Sequence, residues 1–292
     1  MIRPFFKGKG DLMQDERNRR LARTLVRYCV RAQPEELIGI SASPEAEPLV
    51  TAVYEELLRA GAWPLVQMAP EGLAEMLYRR GKPHHFDSFH PYRRALARHL
   101  DGSISILSSP NTRALSGVST AKQARLTRSL RPLREILIKK KWTLTLYPTQ
   151  AYAQDAEMSL RAFEDFVFSA TFSDRPQPVR AWKALARKQE KMIHALEGAA
   201  SVHIEGPDTD LRFSIRGRTF VNSAGTHNMP SGEIFTSPVE DSAEGEIRYD
   251  FPVCHAGREI EDIRLVFRKG RVVEATAAKN QDFLRAMLDT DP

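Results

Sequence analysis

The chain has 292 residues, 42% apolar, 8% aromatic and 27% charged, with 16 Gly, 18 Pro and a formal net charge of +6. That length allows two domains with a core in each, and the composition excludes collagen-like, coiled-coil and wholly disordered chains. The charge is uneven: residues 1–200 hold 32 Lys and Arg against 21 Asp and Glu, a net of +11, while residues 201–292 hold 11 against 16, a net of −5. The change of sign near residue 200 predicts a domain boundary there. It also argues against a nucleic-acid partner, because no basic motif is interleaved with aromatics. No run of 18 apolar residues occurs, and the N-terminal MIRPFFKGKGDLMQDER turns charged before a signal-peptide core could form. A cytoplasmic chain with no membrane partner is therefore expected. Cys29 and Cys254 are too few for a disulfide framework or a thiolate zinc site, and both are expected to be buried and reduced.

In chain order, residues 16–32 place Leu21, Leu25, Tyr28 and Cys29 on one stripe of an amphipathic helix that Pro34 ends. LIGISA at 37–42 is a strand, Ser43-Pro44-Glu45 opens a helix that Gly61 stops, and WPLVQMA follows as a second strand. Strand, helix and strand in this order predict a parallel sheet. After a helical and loop-rich stretch from 70 to 100, strands are expected at 102–109 and 142–148, with a basic helix between them. Lys139, Lys140 and Lys141 read as a solvated helix end near the negative pole of the helix dipole. Residues 164–172 and 179–198 read as helices. From 199 onward, short alternating runs such as LRFSI and RLVF, separated by Gly or Asp, predict an antiparallel meander with a hairpin turn at Arg268-Lys269-Gly270-Arg271 and a last helix at NQDFLRAML. The expected fold is thus an α/β N-terminal domain with a largely parallel sheet, residues 1–198, followed by an α+β domain with an antiparallel meander, residues 199–292.

One segment of the second part reads as neither ordinary strand nor ordinary turn: Asn228-Met229-Pro230-Ser231-Gly232-Glu233-Ile234-Phe235-Thr236-Ser237-Pro238. Two prolines and a glycine stiffen the backbone around a single carboxylate. On its residues alone, the segment is either an exposed turn with an idle Glu or a loop that holds Glu233 in fixed geometry. His84, His85, His90 and Asp87 in PHHFDSFHP are ligand types at a spacing compatible with zinc, or a surface loop. His227 precedes the stiff segment and His255 follows Cys254, so either could approach Glu233 or be an ordinary loop residue. His99, His194 and His203 have no partner at ligand spacing. Lys7-Gly8-Lys9-Gly10 and Ser231-Gly232 match no phosphate loop or nucleophile elbow.

The 228–238 segment resembles the metal-loop signature of the thermophilic metallo-aminopeptidases, two-metal exopeptidases of the aminopeptidase T and aminopeptidase S type. Further agreement lies in Ala46-Glu47-Pro48-Leu49-Val50, Asn111-Thr112-Arg113-Ala114-Leu115-Ser116-Gly117-Val118, Tyr147-Pro148-Thr149 with Ala151-Tyr152-Ala153-Gln154, Met158-Ser159-Leu160, Phe163-Glu164-Asp165-Phe166-Val167 and Leu288-Asp289-Thr290-Asp291. The resemblance implies a metal-dependent aminopeptidase, a hydrolase that removes N-terminal residues from peptides. It also implies two divalent metal ions (zinc, cobalt or magnesium), a peptide substrate and a homodimer. Only Glu233 is carried over as a metal ligand, and no catalytic residue is. The family's later ligands lie beyond a segment corresponding to the end of this sequence, so a C-terminally shortened catalytic domain without activity is expected. The alternative is a non-catalytic remnant that acts as a folded or dimerising module.

Overall fold

The computed structural model describes residues 15–255 and 258–289, so the Lys7–Gly10 stretch and the Thr290-Asp291 pair lie outside it. The first helix, α1 (Glu16–Thr24), starts where the Asp15 side chain accepts from the Arg17 backbone N–H at 2.9 Å, and it continues into a π turn at Leu25–Cys29. Then come β1 (Leu37–Ala42), α2 (Glu47–Arg59), β2 (Trp63–Met68), α3 (Leu73–Arg80), α4 (His84–Asp87), α5 (Pro91–His99) and β3 (Gly102–Leu107). They are followed by α6 (Thr120–Leu137), β4 (Lys141–Leu146), α7 (Gln150–Asp155), α8 (Leu160–Ala170) and α9 (Pro178–Ala195). The remainder is β5 (Ser201–Gly206), β6 (Thr209–Ser214), β7 (Val221–Ser223), β8 (Asn228–Met229), β9 (Glu233–Phe235), β10 (Glu244–Tyr249), β11 (Val253–His255), β12 (Arg258–Ile260), β13 (Ile263–Arg268), β14 (Arg271–Thr276) and α10 (Gln281–Leu288).

Contacts divide the chain into two compact units. The first takes residues up to Thr112, Val118–Leu185 and Ser223–Gly232; the second takes Arg113–Gly117, Ala186–Asn222 and residues from Glu233 onward. The division falls inside α9.

The first unit carries a five-stranded, wholly parallel sheet in the order β2-β1-β3-β4-β8. Its central strands carry apolar residues that the flanking helices cover: Ile38, Ile40 and Ile104 are fully buried, together with Leu21, Leu25 and Val26 from the first helix and Leu49, Val53 and Leu57 from α2. One carboxylate lies in this packing. Glu56, with its side chain 4% exposed, is met by Arg27 and by Arg59, so its charge is compensated where water is scarce. Trp182 of α9 is 1% exposed, stacks obliquely on Phe172 and donates its indole N–H to the Thr171 carbonyl at 3.1 Å.

Three local expectations change. The histidine stretch is not a loop throughout, since residues 84–87 form a helical turn with Phe86 buried. The lysine triplet is not wholly solvated: Lys140 Nζ donates to the Arg98 carbonyl at 2.5 Å and also to the Leu100 carbonyl, while Lys141 Nζ pairs with Glu36 at 2.5 Å. Freed carbonyls at the end of α5 attract the first cation, and a nearby carboxylate attracts the second. Cys254 is exposed rather than buried, because β11 pairs only with β12 and all three of its residues face solvent.

The second unit carries an antiparallel sheet in the order β14-β13-β10-β6-β5, with smaller two-stranded sheets pairing β11 with β12 and β7 with β9. The β13–β14 hairpin turns on Lys269 and Gly270, both at positive φ, as a tight turn between right-twisted strands requires. Ile260, Ile263, Phe283 and Leu284 form a small core under α10. The meander is interrupted, since β6 pairs with β10 rather than with the next strand, and residues 223–232 run through the first unit instead. Their apolar members explain the detour: Ala224 is 7% and Met229 1% exposed.

Replacing Trp182 with Ala should lower stability by about 3–5 kcal/mol, through the cavity and the lost hydrogen bond. Phe166→Ala, at a side chain 59% exposed, should cost under about 1 kcal/mol. Urea unfolding followed by circular dichroism compares the two, and equal losses would place the main core elsewhere.

Candidate functional site

The stiff segment begins as a strand. Asn228 and Met229 pair parallel with Leu144 and Thr145 of β4. The preceding His227 carbonyl accepts from Leu144 N at 2.7 Å and from Thr143 Oγ1 at 2.8 Å. Met229 fills the core, and upstream the Tyr28 hydroxyl donates to the Ala224 carbonyl at 2.8 Å. Gly225, at φ +80°, lies where a Cβ would come within 2.9 Å of the Trp182 ring, so a side chain is excluded on conformation and on space. The Met229–Pro230 peptide bond is cis. The chain then turns: the Ser223 and Ser231 hydroxyls hydrogen-bond at 2.7 Å, and Gly232 N donates to the Ser223 carbonyl at 3.0 Å.

Glu233 opens β9 in the second unit. Its carbonyl accepts from Gln189 Nε2 at 2.6 Å, and Thr236 Oγ1 donates to the Thr219 carbonyl at 3.0 Å. The backbone is therefore held, while the Glu233 side chain is exposed and forms no ion pair among the described residues. The sequence reading does not single out Gln189. Its signal is an amide that is 3% exposed in an otherwise charged helical rod.

The other candidate ligands are engaged separately. His85 Nδ1 accepts from Lys82 N at 2.9 Å and His90 Nδ1 from Tyr92 N at 3.3 Å, so both imidazoles cap local turns. Asp87 is held by Arg125 through contacts of 2.6–2.9 Å, and the His84 ring lies 3.9 Å from that of His85. His227 leans on Trp142 with ring centroids 4.6 Å apart, and His255 stacks on Phe283 at 6.2 Å. His194 contacts Glu197 and His203 contacts Asp210, each at 2.8 Å. Among the described residues, no three His, Cys, Asp or Glu side chains come together as a metal-holding group. Cys29 is no nucleophile: its Sγ donates to the Gly225 carbonyl at 3.1 Å, and burial pushes the thiol up to about 12, against a weaker opposing hydrogen bond with Thr143.

A family model described as "Thermophilic metalloprotease (M29)" matches residues 14–292. The chain is 26% identical to Aminopeptidase AmpS of Bacillus subtilis (strain 168), over 92% of this chain and 72% of that protein. It is 27% identical to Aminopeptidase T of Thermus thermophilus, over 63% of this chain and 51% of that protein. Among solved structures, wild-type AmpT from Thermus thermophilus superposes with a TM-score of 0.79 at 26% identity, covering 94% of this chain and 75% of that one. The α/β part with its parallel sheet and the antiparallel C-terminal region match that structure.

The two thiols should separate chemically. At about pH 8, a disulfide reagent should modify only Cys254 in the native chain, with Cys29 reacting on denaturation. The raised folded pKa of Cys29 also has a stability consequence. Below its ordinary value of 9.0 the preference for the folded protein is fully present, and as pH rises from there toward 12 it is lost, because the unfolded thiol ionises first. Cys29→Ala should flatten that decline in alkaline unfolding curves.

Proposed function

The chain belongs to the thermophilic metalloprotease (M29) family, and on that premise we propose that it is a metal-dependent aminopeptidase releasing N-terminal amino acids from peptides. The observation that supports the proposal is the Asn228–Pro238 segment, whose resemblance to the family's metal loop would carry the metal-binding glutamate onto Glu233. We assign Glu233 as a ligand to one of two divalent cations. A carboxylate on a fixed backbone, with no cation beside it among the described residues, suits that role. The family implies a divalent metal, but the described residues do not fit a pair: a two-metal site needs several ligands to replace each ion's hydration, and only Glu233 is at hand. No hydrolytic step is therefore assigned to a side chain.

The same inventory favours a second reading, that this polypeptide is a folded module of the family without turnover. The proposal further takes the chain to be cytoplasmic and homodimeric. Among the described residues, no helix is long and apolar enough to cross a membrane. In the first unit, β2 is an edge strand with Trp63 65% exposed, and such an edge favours self-association.

One experiment separates the readings. After dialysis against zinc or cobalt, the enzyme reading expects two metals per chain and cleavage of leucine p-nitroanilide, and the module reading expects fewer than two metals and no cleavage. Two metals per chain with steady turnover, both lost in Glu233→Ala, would establish the enzyme and reject the module.

A further inference from the structure

Residues 82–141 contain 13 Lys and Arg against three Asp and Glu, a net of +10 that exceeds the +6 of the whole chain. In the first unit, part of it lines an open surface cleft of about 770 Å³, within the range of about 300–1,000 Å³ typical of small-molecule sites. Three guanidinium groups line it: Arg94 from α5, and Arg125 and Arg128 from α6. Asp87 opposes them, and its two oxygens are taken by Nε and Nη2 of Arg125 at 2.6–2.9 Å. That pairing fixes the Arg125 side chain and leaves its Nη1 without a protein acceptor among the described residues. Arg128 has no ion pair among them. Arg94 lies over the Phe89 ring at 5.2 Å, which orients it without neutralising it. Phe89, Pro91 and Pro132 supply apolar wall, while the Ser88 and Ser129 hydroxyls donate to the helix carbonyls of His84 and Leu126. The donors left for a ligand are therefore guanidinium groups.

We propose that this cleft between α4, α5 and α6 binds a small molecule bearing at least two anionic oxygens, a phosphate or a polycarboxylate, clamped by Arg94, Arg125 and Arg128. Guanidinium forks match such oxyanions in geometry as well as charge, and a net excess of two cations in one cleft calls for a divalent anion. The helix geometry favours a compact ligand over a polymer. Arg125, Arg128, Ser129 and Pro132 follow the i, i+3, i+4, i+7 spacing of one helix face. Arg131 and Arg134 fall off that face, and Arg131 is engaged by Glu135 at 3.0 Å. The arginines thus converge on a cleft instead of forming a continuous track for a nucleic-acid backbone.

The test is calorimetric titration of the full chain with inorganic pyrophosphate and, separately, with citrate, at low and high salt. At least one should bind saturably with one ligand per chain, and more weakly in high salt. Pyrophosphate alone would identify phosphate chemistry, citrate alone carboxylate chemistry, and both a general oxyanion site. Arg128→Ala should weaken binding roughly tenfold or more, and Arg131→Ala about twofold or less. Arg94→Gln provides a second cleft variant should Arg128→Ala lose its native circular dichroism. No saturable binding of either anion would overturn the proposal. So would equal losses in the Arg128 and Arg131 variants, or tighter binding of a single-stranded oligonucleotide that depends equally on Arg128, Arg131 and Arg134.

Discussion

Seating a two-residue strand, Asn228–Met229, beside β4 is the constraint on which the arrangement of residues 223–232 depends. So short a strand has few ladder bonds of its own. Burial of the Met229 side chain contributes on the order of 1.5–3 kcal/mol, and the two bonds to the His227 carbonyl add about 0.5–1.5 kcal/mol each. To reach that position the chain passes beneath Tyr28 and Trp182, and this dictates small residues: Ala224, whose carbonyl takes the tyrosine proton, and Gly225, where the indole leaves no room for a Cβ. The first half of the 228–238 segment is therefore under packing constraints that have nothing to do with metal. A substitution there would act through the core of the first unit before it acted on any ligand.

Where periodicity extends over several residues, the sequence was a sufficient guide. LIGISA and GSISIL alternate or run apolar and lie in the parallel sheet, and the Lys269-Gly270 turn follows from the backbone conformation its hairpin demands. A two-residue strand has no period, so β8 was not legible, and neither was the break in the meander that follows from it. The helical turn at 84–87 is masked by polar histidines, of which His85 accepts a backbone N–H through Nδ1. Lys140 is a similar case, because its partners are carbonyls of α5, some 40 residues away, that no local pattern reveals. Glu233 stands apart from these. Its residue pattern alone favours an idle turn over a fixed carboxylate, and only the family resemblance selects it.

The charge asymmetry has a structural side as well. Within the second unit, several carboxylates are matched to cations: Glu244 with Arg268, Glu246 with Arg264, and Glu259 and Glu261 with Lys279. The Lys279 ammonium sits between two carboxylates, which hold its pKa above the ordinary lysine range. These pairs are exposed, and each contributes little to stability. A cation partner is common here but not general, since Glu274 on β14 is exposed and forms no ion pair among the described residues.

Glu233, like Glu274, has no cation partner among the described residues. Hydrogen bonds hold its backbone on both sides, Gly232 N to the Ser223 carbonyl before it and Gln189 Nε2 to its own carbonyl, yet no arginine or lysine meets its carboxylate among the described residues. Restraint without neutralisation is compatible with the metal-ligand role proposed for Glu233, since the geometry is set in advance and the negative charge remains available. One such carboxylate is still weak, because dehydrating a divalent cation demands several oxygen or nitrogen donors at once. The Glu233 segment can thus be ordered within its fold whether or not a metal is bound, and the ordering is supplied by Gln189 and the Ser223–Gly232 turn rather than by the ion.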